Sequence, residues 1–315
     1  MKAWQFTDTG KPLRLVEVPD PVPGAGEVVV DVRTSGLCHS DISIMHHPAA
    51  KQALAFVPLT LGHEIAGVVS AVGPDVTEWK TGDRVGVWAT PRTGTIPGYT
   101  RQGGYAERHL APASDLTALP DGLDFALGSV GTDAGLTAHH AIVGRGQVRA
   151  GMKVGVIGIG GLGQIGARIG VLHGAEVHVA EPKRDVWHLA ESVGASSVVA
   201  DAAEWRGKDF DLIVDYAGYD TTQPALEAVR FGGRVVQVGV GKPLGTINLA
   251  VLLREKDLLG SFGGTLDDMA AVYALMASGD LAPVHSEIPF EALNEGLDRL
   301  EKGTVEGRLV ARVSP

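Results

Sequence analysis

KVGVIGIGGLGQIGARIGVLHGAEVHVAEPKR, residues 153–184, decides how this chain is read. It opens on a short apolar run, Val154-Gly155-Val156-Ile157, of strand length. It then passes into Gly158-Ile159-Gly160-Gly161-Leu162-Gly163, a G-x-G-x-x-G. Ile165, Ile169 and Leu172 recur at helical spacing, and a second strand at residues 177–180 ends on Glu181. Each part suits a bound dinucleotide. Gly158 permits the tight turn, Gly160 lets backbone N–H groups approach a pyrophosphate, and Gly163 lets the helix pack close to the strand. Gly161 and Leu162 lead into that helix, whose first turn offers unpaired N–H donors and the positive end of a dipole. Glu181 stands 18 residues after Gly163, near the place of the acid that accepts bonds from ribose hydroxyls. A lone glycine motif is a weak signal. Strand, loop, helix, strand and terminal acid in order point to a nicotinamide or flavin dinucleotide, against a purely structural βαβ turn.

The rest of the chain is consistent with this reading. Its 315 residues suggest about two domains, and 44% hydrophobic with 20% charged residues is ordinary for a globular protein. A net charge of −10 argues against nucleic-acid or anionic-membrane partners, which need clustered Lys and Arg. The single cysteine excludes an intramolecular disulfide framework and fits a reducing compartment. Met1-Lys2-Ala3-Trp4-Gln5-Phe6 lacks the apolar core of a secretory leader, and no apolar run reaches membrane-span length, so the expected location is the cytoplasm.

The first third reads as short strands between Gly/Pro turns, at residues 28–33, 66–72 and 84–87, which suggests a small barrel-like β domain. Helical character is expected at residues 134–143. From Lys153 strands and helices alternate, at 177–180, 185–193, 211–215, 223–229 and 234–240, which implies a parallel sheet with right-handed crossovers. Helices at 266–278 and 290–302 and a strand at 308–313 complete the chain. The loop 91–98, Pro-Arg-Thr-Gly-Thr-Ile-Pro-Gly, has no cysteine that would hold a structural metal.

A second constellation follows residues 28–33. Cys38, His39, Ser40 and Asp41 put a thiol, an imidazole, a hydroxyl and a carboxylate in consecutive positions; Gly62-His63-Glu64 and Thr132-Asp133 lie on later segments. Thiolate and imidazole suit zinc, and a catalytic site takes three protein ligands. The spacing is not that of a zinc finger, so three loops would have to converge. The alternatives are a buried thiol, a hydrogen-bonded core histidine, and an Asp133 that merely caps a helix.

Six ordered motifs carry a resemblance. Gly36–Asp41, Gly62-His63-Glu64, Gly82-Asp83-Arg84-Val85, Gly103-Gly104-Tyr105-Ala106-Glu107, Gly135-Leu136-Thr137-Ala138 and Gly158–Gly163 follow the order found in zinc-dependent alcohol dehydrogenases of the medium-chain dehydrogenase/reductase superfamily. The resemblance extends to Val305-Glu306-Gly307-Arg308. It implies a GroES-like β-barrel catalytic domain at 1–134, a Rossmann domain at 135–261, and a return to the catalytic domain at 262–315, with cofactor and substrate in the cleft between them. Cys38 and His63 match the first two zinc ligands, and Asp133 falls where the third ligand is cysteine or aspartate. Glu64 matches an alternative ligand behind the metal, and Asp41 a carboxylate that orients His63. Ser40 matches the hydroxyl that contacts the alcohol and takes its proton. His39 and Arg308 match positions facing the pyrophosphate. Val238 and Val240 match contacts to the nicotinamide, and Phe262 a residue covering that ring; core packing is the alternative for these.

The implied chemistry is hydride transfer between a primary or secondary alcohol and NAD, with one catalytic zinc per chain and no structural zinc. Glu181 favours NAD over NADP by repelling a 2′-phosphate, while Lys183 and Arg184 close behind would attract one. The usual relay histidine is replaced by Ser43, which leaves His46 and His47 as nearby groups. Trp88 is expected near the substrate. Relatives form homodimers or homotetramers, and the strand near residues 233–249 would extend a sheet across a two-fold axis. Rival readings are a sugar or polyol dehydrogenase, a zinc-free quinone or enone reductase, and a binding protein without turnover.

Overall fold

Residues 1–91 and 94–314 are described by the computed structural model, so Arg92 and Thr93 of the cysteine-free loop lie outside the described residues. The chain divides into two units: Met1–Asp133 with Thr265–Gly279 and Val284–Pro315, and Ala134–Gly264 with Asp280–Pro283.

Alternating β-branched residues make the strands of the first unit. Val28, Val30 and Val32 on the strand Glu27–Gly36 are fully buried among Ile65, Val69, Val85, Val87, Ala111 and Leu116 from four other strands. A period of two with every inward position apolar is what a sheet folded around a core requires, and each such valine contributes roughly 1.5–3 kcal/mol by its burial. The strands run in the order His285–Pro289, Arg308–Arg312, Glu27–Gly36, Glu64–Val72, Arg84–Val87, Leu116–Ala118, and Arg108–Pro112 also pairs with Glu27–Gly36. Val310 stands opposite Gly36, so the chain's last strand closes beside the segment that leads to Cys38. A second core gathers Trp4, Phe6, Leu37, Ile44 and Tyr105 with Leu293, Leu297 and Leu300, which share one face of the helix Leu293–Glu301.

The second unit is an all-parallel six-stranded sheet. Its order is Ser197–Val199, Glu176–Ala180, Lys153–Ile157, Phe210–Asp215, Val229–Gln237, Asp257–Gly260. Read by sequence this is 3-2-1-4-5-6, the doubly wound arrangement, and the direction reverses between Lys153–Ile157 and Phe210–Asp215. Val154, Val156, Val177, Val179, Ile213 and Val214 are all fully buried, as strands covered on both faces must be.

Three expectations need correction. The strand at 234–240 is Val229–Gln237 and lies inside the sheet; Asp257–Gly260 is the outermost strand beyond it. The helix at 185–193 is a 3₁₀ turn, Arg184–Val186, followed by Trp187–Ser192, because no capping residue starts a full helix there. The helix expected at 134–143 is a longer helical run beginning at Phe125, with π-helical turns at Gly131–Gly135 and His140–Arg145. Among the described residues no helix is long and apolar enough to cross a membrane.

Candidate active site

Three local devices in the first unit present its polar residues. Cys38 immediately precedes the helix His39–His46, and Asp41, third in that helix, accepts from the Cys38 backbone N–H at 3.3 Å. Gly62 turns the chain ahead of His63 at φ +89°, and a Cβ there would stand 2.5 Å from the Tyr105 ring. Asp133 sits in the π-helical turn Gly131–Gly135, a wide turn often found at functional sites. It is therefore not an N-cap. Asp124 fills that role, accepting from the Ala126 N–H at 2.6 Å.

These segments converge. Cys38, His63, Glu64 and Asp133 each offer one ligand atom, and the four atoms lie within 4.8 Å of one another. His63 Nε2 is 3.5 Å and Cys38 Sγ 4.0 Å from Asp133 Oδ2. A tetrahedral zinc with bonds of about 2.0–2.3 Å would set its ligand atoms roughly 3.3–3.8 Å apart. The residues fit zinc in kind; the 3.5 Å between His63 and Asp133 already lies in that range, and the 4.0 Å between Cys38 and Asp133 stands just outside it. Charge agrees. Burial alone would lower the His63 pKa, yet Asp41, Asp133 and Cys38 raise it well above its usual value, so the surroundings call for a cation.

The neighbours form a second layer. His63 Nδ1 lies 3.6 Å from Asp41 Oδ1, and neither atom has a hydrogen-bond partner. Asp41 Oδ2 accepts from the Tyr105 hydroxyl at 2.7 Å. Burial, followed by the charge of Asp41, holds that phenol well above its usual pKa, so it remains a donor. Glu64 lies across from Gly36, where any Cβ would strike its carboxylate, and it takes the guanidinium of Arg308. Burial raises the Glu64 carboxyl in spite of that guanidinium. Arg308 Nη2 also donates to the Leu37 carbonyl at 3.0 Å. Arg308, expected at a pyrophosphate, is thus buried and engaged with Glu64. The Tyr99 ring stands 5.9 Å from that of His63, tilted by 58°. Its phenol is pushed up to about 12 by burial, with His63 and the Ser40 hydroxyl pulling it down. Ser43 Oγ donates back to the His39 carbonyl, and His46 Nε2 faces Glu301 at 3.5 Å. His39 itself is exposed at the helix start, and Trp88 is half-buried just after the strand Arg84–Val87.

The second unit carries the glycine loop. Gly158 has φ +84°, and a Cβ on Gly163 would stand 1.8 Å from the Gly158 carbonyl oxygen. Nothing lies within 4 Å of where a Cβ on Gly160 would stand, so that face is open for a close approach. Gly161 and Leu162 turn into the helix Gly163–Leu172. Glu181 closes the loop from the next strand: its Oε2 accepts from the Ile159 N–H at 3.1 Å and its Oε1 from the Lys183 N–H at 2.9 Å. Arg184 is exposed, with its guanidinium over the Trp187 ring at 5.2 Å. Val240 and Phe262 are 71% and 70% exposed and Val238 is half-buried, so core packing does not account for Val240 or Phe262. Sequence reading overlooked Asp215. Its buried carboxylate accepts from the Ala217 and Gly218 N–H groups, both at 2.9 Å, and from the Thr221 hydroxyl, and so shapes the turn beside Gly158. An acid ending a strand ahead of a glycine was the available signal. Tyr99 and Tyr105 were also missed as neighbours of the donor cluster.

Comparison with known proteins agrees with this geometry. Residues 24–121 match the alcohol dehydrogenase GroES-like domain family, and residues 161–278 the zinc-binding dehydrogenase family. An alcohol dehydrogenase of Geobacillus stearothermophilus is 31% identical over 99% of this chain and 100% of its own. Acetophenone reductase from Geotrichum candidum, solved in complex with NAD, superposes with a TM-score of 0.91 at 32% identity, covering 99% of this chain and 97% of that one. A cobalt- and zinc-bound thermostable alcohol dehydrogenase from Pyrobaculum aerophilum gives 0.90 at 26% identity, over 99% of both chains. Whole-length identity, two matched domains and a zinc-competent donor set lead to one assignment: the chain belongs to the zinc-binding alcohol dehydrogenases of the medium-chain dehydrogenase/reductase superfamily.

Proposed function

We propose that this protein transfers a hydride reversibly between a primary or secondary alcohol and NAD, at one zinc per chain held by Cys38, His63 and Asp133, with Glu64 in reserve. The observation that carries the proposal is the meeting of thiol, imidazole and carboxylates within 4.8 Å, in a chain whose other unit holds an open glycine loop. Bound zinc would supply Lewis acidity to the alcohol oxygen, and NAD the hydride acceptor. The protein's own residues do the rest. With zinc bound, Cys38 as thiolate and Asp133 as carboxylate would together balance the divalent charge, and His63 would ligate as the neutral imidazole. Ser40 Oγ would relay the alcohol proton, accepting it as its own hydroxyl proton passes on toward solvent. Asp41 holds His63 in the orientation that points Nε2 at the ion. The salt bridge to Arg308 keeps Glu64 ordered behind the set. Glu181 favours NAD, since a carboxylate accepts ribose hydroxyls and repels a 2′-phosphate. His39, Val238, Val240 and Phe262 are assigned to cofactor binding on the strength of the motif match, and Arg184 as an exposed cation close behind Glu181; Arg308, buried against Glu64, is not assigned there.

The partner is a second copy of this chain. Asp257–Gly260 ends the parallel sheet, and Leu249, Leu253 and Phe231 in the same unit are 67%, 84% and 53% exposed, which supports a homodimer or homotetramer. The lone cysteine supports a reducing, cytoplasmic location. A panel of primary alcohols, secondary alcohols and polyols, run with NAD and with NADP, tests the proposal. NAD-dependent oxidation of simple alcohols is expected. Activity on polyols alone would move the assignment to the sugar dehydrogenases, and NADP preference would overturn the role of Glu181.

A further inference from the structure

We infer that Tyr105 is a positioning residue for the metal site: it aims Asp41 at His63 and so sets zinc affinity. The inference rests on Cys38, His63 and Asp133 being the ligands.

The argument starts from the two oxygens of Asp41, which is fully buried. Oδ2 takes both available donors, the Tyr105 hydroxyl at 2.7 Å and the Cys38 backbone N–H at 3.3 Å. With Oδ2 pinned from two sides, the carboxylate cannot rotate, and Oδ1 is left facing His63 Nδ1 at 3.6 Å. Both of those atoms are buried and otherwise without partners. A histidine that ligates through Nε2 needs an acceptor at Nδ1 to fix its tautomer and ring plane. Tyr105 decides which oxygen is offered. The phenol is itself located by the chain before His63: its ring covers Gly62, whose backbone leaves no room for a Cβ, and its hydroxyl is 3.3 Å from the Gly36 carbonyl. One side chain therefore touches the segments that present Cys38 and His63 and ties them to a common geometry. A phenylalanine would fill the same space and lose only the donor.

Zinc affinity measured by chelator competition tests this in the wild type, Y105F, D41N and the double variant, alongside the absorption spectrum of the cobalt-substituted proteins. Y105F should bind zinc about tenfold more weakly, within the range for partners behind a metal ligand. Its cobalt bands should shift, and its far-UV circular dichroism should match wild type. In the D41N background the same change should cost less than about twofold, because Tyr105 acts through the Asp41 carboxylate. Equal affinity in Y105F and wild type, or the same tenfold loss in both backgrounds, overturns the inference. If Y105F does not fold, 3-fluorotyrosine at position 105 keeps the ring and sharpens the donor; tighter zinc binding supports the inference and unchanged affinity overturns it. Failure of the wild type itself to bind zinc would instead reject the ligand assignment beneath it.

Discussion

The donor cluster of the first unit and the glycine loop of the second are built on opposite principles. The loop is local. Gly158, Gly160 and Gly163 lie within six positions, its contacts are made by backbone, and Glu181 already ties Ile159 in place. The cluster is assembled from residues 38, 63, 64 and 133, its contacts are made by side chains, and its charges are unbalanced until a cation arrives. A backbone site is part of the fold's own stability, whereas a side-chain metal site depends on its ion to act. Changes at the loop's tightly packed Gly163 should therefore damage stability and cofactor binding together, while changes in the cluster should remove activity and leave the fold intact.

The strongest way to break that contrast is Cys38→Ser. Activity should fall by at least about three orders of magnitude, some 4 kcal/mol of barrier, with circular dichroism and urea midpoint nearly unchanged. A large loss of stability would mean that the cluster is structural. Gly163→Ala comes next. The added methyl meets a carbonyl oxygen at 1.8 Å, so the unit should lose about 3 kcal/mol in urea unfolding and most of its NAD affinity. Gly160→Ala is its control: with open space around it, stability should stay within about 0.5 kcal/mol while a close approach to the pyrophosphate is obstructed. Gly163→Ala and Gly160→Ala behaving alike would show that the tight backbone contact is not what matters. Glu181→Ser should then shift NAD-over-NADP selectivity about tenfold toward NADP, near 1.4 kcal/mol, in steady-state kinetics. Unchanged selectivity would leave Glu181 as a loop clamp only.

A finer contrast lies within the first unit, between two buried histidines. His63 is drawn toward protonation by its acidic neighbours, whereas His109 is pushed down to about 3 by burial and the Arg101 guanidinium. Its unfolded value is about 6.5, so as pH falls the unfolded chain takes up this proton first. The stability at stake is whole above pH 6.5 and declines between there and about 3, at roughly 1.4 kcal/mol per pH unit. Urea unfolding at pH 7.0 and 5.5 should show this slope in wild type and a flatter one in His109→Gln. Equal slopes would remove His109 from the acid response.

The same contrast explains what could be read from sequence. The loop was legible because its glycines, strand and acid are contiguous, and the strand Arg84–Val87 was found because period-two alternation is itself local. The cluster was legible only as separate fragments: residue chemistry suggested zinc, but nothing local says that Asp133 turns toward Cys38 rather than capping a helix. The π turn that presents it has no composition signal. Arg308 illustrates a second limit. A cation near the chain's end reads as a surface charge or a phosphate contact, and only the pairing of Val310 with Gly36 reveals that it stands beside Glu64. The outermost strand, Asp257–Gly260, was missed because its residues, Asp-Leu-Leu-Gly, do not alternate apolar with polar.

The central claim is that Cys38, His63 and Asp133 hold one zinc on which turnover depends. Metal content by plasma mass spectrometry, taken with alcohol oxidation on the same preparations of wild type and Cys38→Ser, addresses it most directly. One zinc per active wild-type chain, with metal and activity lost together in the variant, is the predicted result; an active wild type without zinc, or a metal-free variant that still turns over, would contradict it.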